Sequence, residues 1–174
     1  MRRVFAAFLV ALIVLVAFPA TATHRQAPYE EIIRWARCTA ALVTSDERGV
    51  VESYYAPYSH QLYVGTQDRA DLPQRLAEMI LFHEIGHCLQ RQAGLFDGSF
   101  SRVQIELDAD RWAAEIACSL GRDGKRDLHD LFVWAKETFG YEGDPDHGTL
   151  IQRIAQGKNA ALCNLPPTQA PILP

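Results

Sequence analysis

The stretch from Ala77 to Gln90, AEMILFHEIGHCLQ, limits what this chain can become more than any other. Its apolar residues recur with the helical period, and His83, Glu84 and His87 interrupt them. Residues four apart on an α-helix share a face, roughly 5–6 Å between Cβ atoms, so His83 and His87 can reach one ion. Glu84 lies one step around the helix, where it can address a water on that ion without ligating it. His83-Glu84-Ile85-Gly86-His87 is thus a HExxH metal motif on a helix that is apolar over most of its girth, and such a helix belongs at the centre of a fold.

A hydrolytic zinc ion takes three protein ligands and keeps one open position. The third ligand is expected from a separate helix, where Glu106, Asp108, Asp110 and Glu115 are the candidates. Glu106 and Asp110 are four apart and share a face, whereas Asp108 points away. The expected division of labour has Glu106 ligating and Asp110 accepting the outer N–H of a ligating histidine, which fixes its tautomer. A third histidine six residues beyond His87, the metzincin spacing, is excluded because position 93 is alanine.

HExxH followed 19 positions after its second histidine by E-x-x-A-D resembles the gluzincin metallopeptidases. The wording ELDADRWAAE, from Glu106 to Glu115, is similar to the second motif of the membrane heat-shock and CAAX-prenyl-type peptidases. The short gap between motifs also resembles the small anti-repressor peptidases. The resemblance implies Glu106 as third zinc ligand and Asp110 behind a ligating histidine.

That family also carries a late histidine, often followed by proline, ahead of an Arg-Ile helix. Asp146 to Ile154, DHGTLIQRI, resembles it with Gly148 at the proline position. For His147 the readings are a helix-start residue or a hydrogen-bond donor to the oxyanion of a tetrahedral intermediate. Arg153 is expected to make a surface contact or a salt bridge. The likeness spans about Leu76 to Ile154, and the multiple membrane spans of the heat-shock and prenyl-type peptidases are absent from the sequence.

Elsewhere the chain reads as one domain of mainly helical α+β class, zincin-like, with an active-site helix and a small antiparallel β-hairpin. With 174 residues and 48% of them apolar, it can bury a sizeable core. Arg2 and Arg3, the apolar run Val4 to Phe18 and the small residues Ala20-Thr21-Ala22 have the layout of a secretory signal peptide over 1–22, with a retained N-terminal membrane anchor as the alternative. The expected metallopeptidase domain covers 23–165, and 166–174 is a proline-rich tail.

A helix is expected from Pro28 to about Val43, and β-prone runs at Val50–Tyr55 and Gln61–Gly65 form the hairpin. Tyr54, Tyr55, Tyr58 and Tyr63 cluster on it, and His60 reads as a turn residue. Further helices are expected from Asp71 to Gly94, from Arg102 to Leu120 behind a Ser101/Gln104 capping box, over Asp127–Thr138, and from Thr149 to about Leu162.

The four cysteines, Cys38, Cys88, Cys118 and Cys163, all follow the signal segment and are expected to form two disulfides. The preferred pairing joins Cys88 to Cys118 and Cys38 to Cys163. A four-cysteine zinc site is the rival, but no pair has C-x-x-C spacing. Without Arg2 and Arg3 the chain carries 15 basic and 21 acidic side chains, so it has no electrostatic reason to hold nucleic acid or anionic lipid.

The sequence therefore leads to an exported zinc metallopeptidase acting on a peptide or protein, with one Zn2+ and Glu84 as general base. Rival readings are a zinc-bearing binding or assembly factor without catalysis, and a cell-wall peptide amidase.

Overall fold

The computed structural model describes residues 32–34, 36–43, 53–65 and 72–165. The expected signal peptide, Pro28, the turn at 45–49, Asp71 and the 166–174 tail lie outside the described residues. The fold is mainly helical with a small antiparallel hairpin, as expected.

Among the described residues four helices make the body: α1 (Gln74–Gln92), α2 (Arg102–Ser119), α3 (Gly124–Phe139) and α4 (Leu150–Asn159), with a short 3-10 turn at Leu162–Asn164. Helix α1 carries the HExxH motif and buries Leu76, Met79, Phe82 and Ile85. It crosses α2 at a seam of small residues, where Ala109, Ala113 and Ala117 are wholly buried. Gly86 sits at that crossing. A Cβ placed there would stand 3.0 Å from Trp112 Cβ and 3.1 Å from the Ala109 backbone, so only a bare backbone lets the helices approach this closely.

The helix ends follow local chemistry. Ser101 and Gln104 form the expected reciprocal capping box of α2, and Thr149 and Gln152 form another on α4. Gly94 and Gly121, at φ of 77° and 75°, close α1 and α2 with paired 6→1 and 5→2 backbone hydrogen bonds. Helix α3 starts at Gly124, earlier than expected, because the Asp123 side chain accepts from Arg126 N. Helix α4 stops at Asn159, earlier than Leu162, because Ala160 turns extended.

A three-stranded sheet lies against α1. Its strands are β1 (Thr39–Val43), β2 (Tyr54–Ala56) and β3 (Gln61–Gly65), in the order β1-β3-β2. The expected hairpin is β2 antiparallel to β3, with Tyr55 opposite Leu62. Strand β1 corrects the sequence reading: residues 39–43 pair parallel with β3 instead of continuing a helix. The helical turn at 32–34 ends because Arg37 adopts φ 53°, Cys38 N–H bonds Ile33 O and Arg37 N–H bonds Arg34 O. This is the closing motif usually marked by glycine, here built on arginine. A second ribbon, β4 (Gly143–Asp144) with β5 (Gly148–Thr149), joins α3 to α4.

The two disulfides exist, but in the other arrangement: Cys38 pairs with Cys88 and Cys118 with Cys163. The expected Cys88–Cys118 and Cys38–Cys163 pairs fail because the side chains diverge. Cys88 leaves α1 on the face that meets the turn at Ala36, its sulfur 3.9 Å from Ala36 O, so it finds Cys38 at the start of β1. Cys118, in the last turn of α2, faces the N-terminus of α3 and the 3-10 turn that carries Cys163. The first bridge thus ties the sheet to α1 one residue past His87, and the second ties α2 to the C-terminal turn. Two disulfides fit an oxidising, extracellular-type environment. Among the described residues no helix is long and apolar enough to cross a membrane.

Candidate metal centre

Helical spacing on α1 and α2 brings the expected residues together. His83 Nε2 lies 3.1 Å and His87 Nε2 3.3 Å from the same Glu106 oxygen, Oε2. Glu84 joins the two histidines in a group whose ligand atoms all lie within 4.8 Å of one another, close enough to hold a metal ion.

The hydrogen bonds on the far side of each ring decide what these atoms offer. Asp110 Oδ1 stands 2.9 Å from His83 Nδ1, and a carboxylate only accepts, so that nitrogen carries the proton. Gln90 does the same for His87. Its amide nitrogen donates to Ile105 O at 2.7 Å and to Asp108 Oδ2 at 3.0 Å, which leaves its oxygen facing His87 Nδ1 at 2.9 Å. Each neutral imidazole therefore turns a bare Nε2 lone pair toward a carboxylate oxygen. Three acceptors so close repel unless a cation lies among them. Zinc bonds nitrogen at about 2.0–2.1 Å and oxygen at about 2.0–2.2 Å, which puts neighbouring corners of a tetrahedron about 3.3 Å apart. The observed spacings match, so the donor set fits zinc in both chemistry and size.

Where a proton is the only cation available, it takes the same place. Burial disfavours a charged His83, but the Asp110 and Glu106 carboxylates beside it outweigh that and hold its pKa up at about 10. Burial would raise Glu106, yet hydrogen bonds with His83 and His87 hold it well below the usual carboxylate range. Asp110 is likewise depressed: desolvation opposes its charge, and Arg153 and His83 overcome it.

Asp110 is 1% exposed and receives Arg153 in a fork, Nε to Oδ2 and Nη2 to Oδ1, both at 2.8 Å. The guanidinium also sits 4.5 Å from the centre of the Phe132 ring. Arg153 is therefore a salt-bridging arginine, and a buried one, placed behind the carboxylate that orients His83.

Glu84 is anchored from the sheet. The Tyr55 N–H donates to Glu84 Oε2 at 2.7 Å, pointing off the outer side of β2. Of the four hairpin tyrosines, Tyr55 thus reaches the site through its backbone; the Tyr54 and Tyr63 rings stack at 4.6 Å, and the Tyr58 ring is fully exposed at the turn. His60 occupies that turn at φ 56°, as expected, and its Nε2 accepts from Arg91. Asp108 pairs with Arg111, and Glu115 with Arg111 and the Ala161 N–H, so neither competes for the metal position.

His147 stands at the rim, about one-third exposed, with Nε2 3.7 Å from Glu106 Oε2. The β4-β5 turn presents it. Asp144 accepts from its backbone N–H and from its Nδ1, each at 2.9 Å, so the neutral ring also turns Nε2 inward. Gly148 takes φ 84°, a conformation closed to proline.

Three participants escaped the sequence reading: Gln90, Asp144 and Tyr141, whose hydroxyl accepts from Arg153 Nη1 at 3.1 Å. Gln90 lies three residues beyond His87 and Asp144 three before His147, so i,i+3 proximity was the available signal. Tyr141 had none. No protein-family model matches the chain, nor does any curated protein or solved structure.

Proposed function

We propose that this chain is an exported zinc-dependent peptidase in which His83, His87 and Glu106 hold the metal and Glu84 is the general base. The observation that carries the reading is the convergence of the His83 and His87 Nε2 atoms on one Glu106 oxygen at 3.1 and 3.3 Å, with Glu84 beside them. The disulfides and the signal-like segment 1–22 support export, and the resemblance to gluzincin peptidases supports the reaction class.

Zinc bound there would polarise a scissile carbonyl and lower the pKa of its bound water toward about 7. Tyr55 N–H fixes Glu84 Oε2, which leaves Oε1 to accept the proton of the attacking water and return it to the leaving amine. Asp110 and Gln90 hold the ligand rings in the productive tautomer. His147, its Nδ1–H held by Asp144, would stabilise the oxyanion once Nε2 has taken a proton from solvent and become a donor toward the carbonyl oxygen as it turns tetrahedral.

A casein or peptide-library digest tests the reading. Cleavage by the wild type, lost with chelator, restored by zinc and absent in Glu84→Gln with its zinc retained, is the expected result. Stoichiometric zinc with no substrate cut would favour the binding-factor alternative. Near-wild-type cleavage by Glu84→Gln would remove that residue from the mechanism.

A further inference from the structure

Two carboxylates each orient one histidine of the site: Asp110 holds His83 and Asp144 holds His147. They sit on different elements, α2 and β4, yet one hydrogen-bonded chain runs between them. Arg153, having given Nε and Nη2 to Asp110, donates its remaining Nη1 to the Tyr141 hydroxyl at 3.1 Å. That hydroxyl has one proton, and it donates it to Asp144 Oδ2 at 3.4 Å.

From this geometry we infer that Tyr141 is a positioning residue, its hydroxyl locking the Asp144–His147 pair to the Arg153–Asp110 pair so that His147 keeps a fixed tautomer and place beside the metal ligands. The inference rests on the peptidase reading for its catalytic consequence, though not for its structural content.

The polarity of the chain is consistent from end to end. The Arg153 cation serves Asp110 directly and Asp144 through the phenol, so each carboxylate gains a donor that belongs to no histidine. Asp144 also has donors of its own. Its carboxylate accepts from the backbone N–H groups of Asp146 and His147 as well as the His147 ring, and desolvation of the carboxylate is outweighed by those bonds, which hold its pKa at about 2. The Tyr141 bond reaches Oδ2, which the backbone leaves alone and which shares the His147 Nδ1–H with Oδ1 at 2.9 Å, and so adds a second hold on the carboxylate under the imidazole. The backbone encourages the same arrangement. Gly143 holds φ 99° where a Cβ would stand 2.2 Å from Gly148 O, so the ribbon that carries Asp144 and His147 closes tightly beside α2.

Tyr141→Phe tests this, since the ring that packs on the core is retained and only the hydroxyl is lost. The first readout needs neither metal nor substrate: the side-chain 15N resonances of the histidines in metal-free protein. In the wild type His147 should show one tautomer, protonated at Nδ1. In Tyr141→Phe its two ring nitrogens should move toward averaged values, while His87, held by Gln90 outside the chain, stays unchanged. A His147 spectrum unaffected by the substitution would overturn the inference, as would His87 shifting equally, which would mean general loosening.

The second readout is turnover: kcat should fall about tenfold, the lower end of what loss of such outer partners costs, with KM within about twofold and zinc content intact. Unchanged kcat beside a perturbed His147 would overturn the catalytic part. If the wild type cuts no peptide at all, the peptidase reading fails, and the nitrogen spectra still decide the role of Tyr141.

Discussion

Asp110 and Arg153 meet in a two-pronged ion pair at 2.8 Å beneath the metal motif, and the same carboxylate grips His83 Nδ1 at 2.9 Å. The pair is nearly dry, with Asp110 at 1% and the Arg153 side chain at 12% exposure. Removing one partner leaves a buried charge unanswered, which typically costs about 3–5 kcal/mol. Asp110→Ala should therefore lower unfolding stability by about that amount in a denaturant titration, and lower zinc affinity by about 10–100-fold as His83 loses its orientation. Because the folded pKa of Asp110 is depressed, the pair's contribution is full above the ordinary carboxylate value of about 4 and lost only as pH falls through the lower native value. A variant with wild-type stability would show that the pair holds nothing together.

Gly86 is the second of the two residues between Glu84 and His87, and its bare backbone sets how near α2 can bring Glu106. Gly86→Val would press a branched side chain against Trp112 Cβ and Ala109 O, already within 3.0–3.1 Å of where a Cβ would stand. Overpacking of this kind costs about 1–3 kcal/mol. Zinc affinity should fall along with the melting temperature, because separation of the helices withdraws Glu106 from both histidines. Loss of stability with zinc affinity unchanged would show that the crossing does not set the ligand spacing.

Zinc must displace a proton from His83, whose carboxylate neighbours hold its pKa at about 10. Between pH 6 and pH 8 apparent zinc affinity should thus climb by about tenfold per unit, with about one proton released per zinc from this ring. Calorimetry in two buffers of different ionisation enthalpy measures both. In zinc-free protein the raised pKa has the opposite trend: its stabilisation is full below the free imidazole value of about 6.5 and is lost as pH rises toward about 10. A zinc affinity that is flat across this range would contradict the proposed protonation.

Peptide mapping under non-reducing conditions should recover Cys38 linked to Cys88 and Cys118 linked to Cys163. The first bridge closes a loop of 50 residues, for which chain entropy gives about 4 kcal/mol. The double variant Cys38→Ser with Cys88→Ser should lose about 2–5 kcal/mol of stability, and its zinc site should loosen, since the bridge ties the sheet that anchors Glu84 to the helix that carries the histidines.

The parts of this site legible in the sequence were those written as periodicity on a single helix. His83 and His87 share a face of α1, and Glu106 and Asp110 share a face of α2, so four residues could be assigned before the helices were placed. The cysteine pairing depended on how α1 and α2 are rotated about their own axes against the turn and the C-terminal segment, and spacing carries no such information. Strand β1 was hidden for a local reason: the helix before it closes on Arg37 in the left-handed region, without the glycine that marks the ends of α1 and α2. Asp144 offered only its i,i+3 spacing to His147, and Tyr141 was invisible because its role comes from a loop that folds back onto α2, a contact no repeat encodes.

The central claim is that His83, His87 and Glu106 form a zinc site, and X-ray absorption at the zinc edge of the dialysed, zinc-loaded protein tests it most directly. The account predicts one zinc per chain, surrounded only by nitrogen and oxygen at about 2.0–2.2 Å, with the outer scattering of two imidazoles. Glu106→Ala should lose zinc on dialysis. No retained zinc in the wild type, or sulfur among its neighbours, would contradict it.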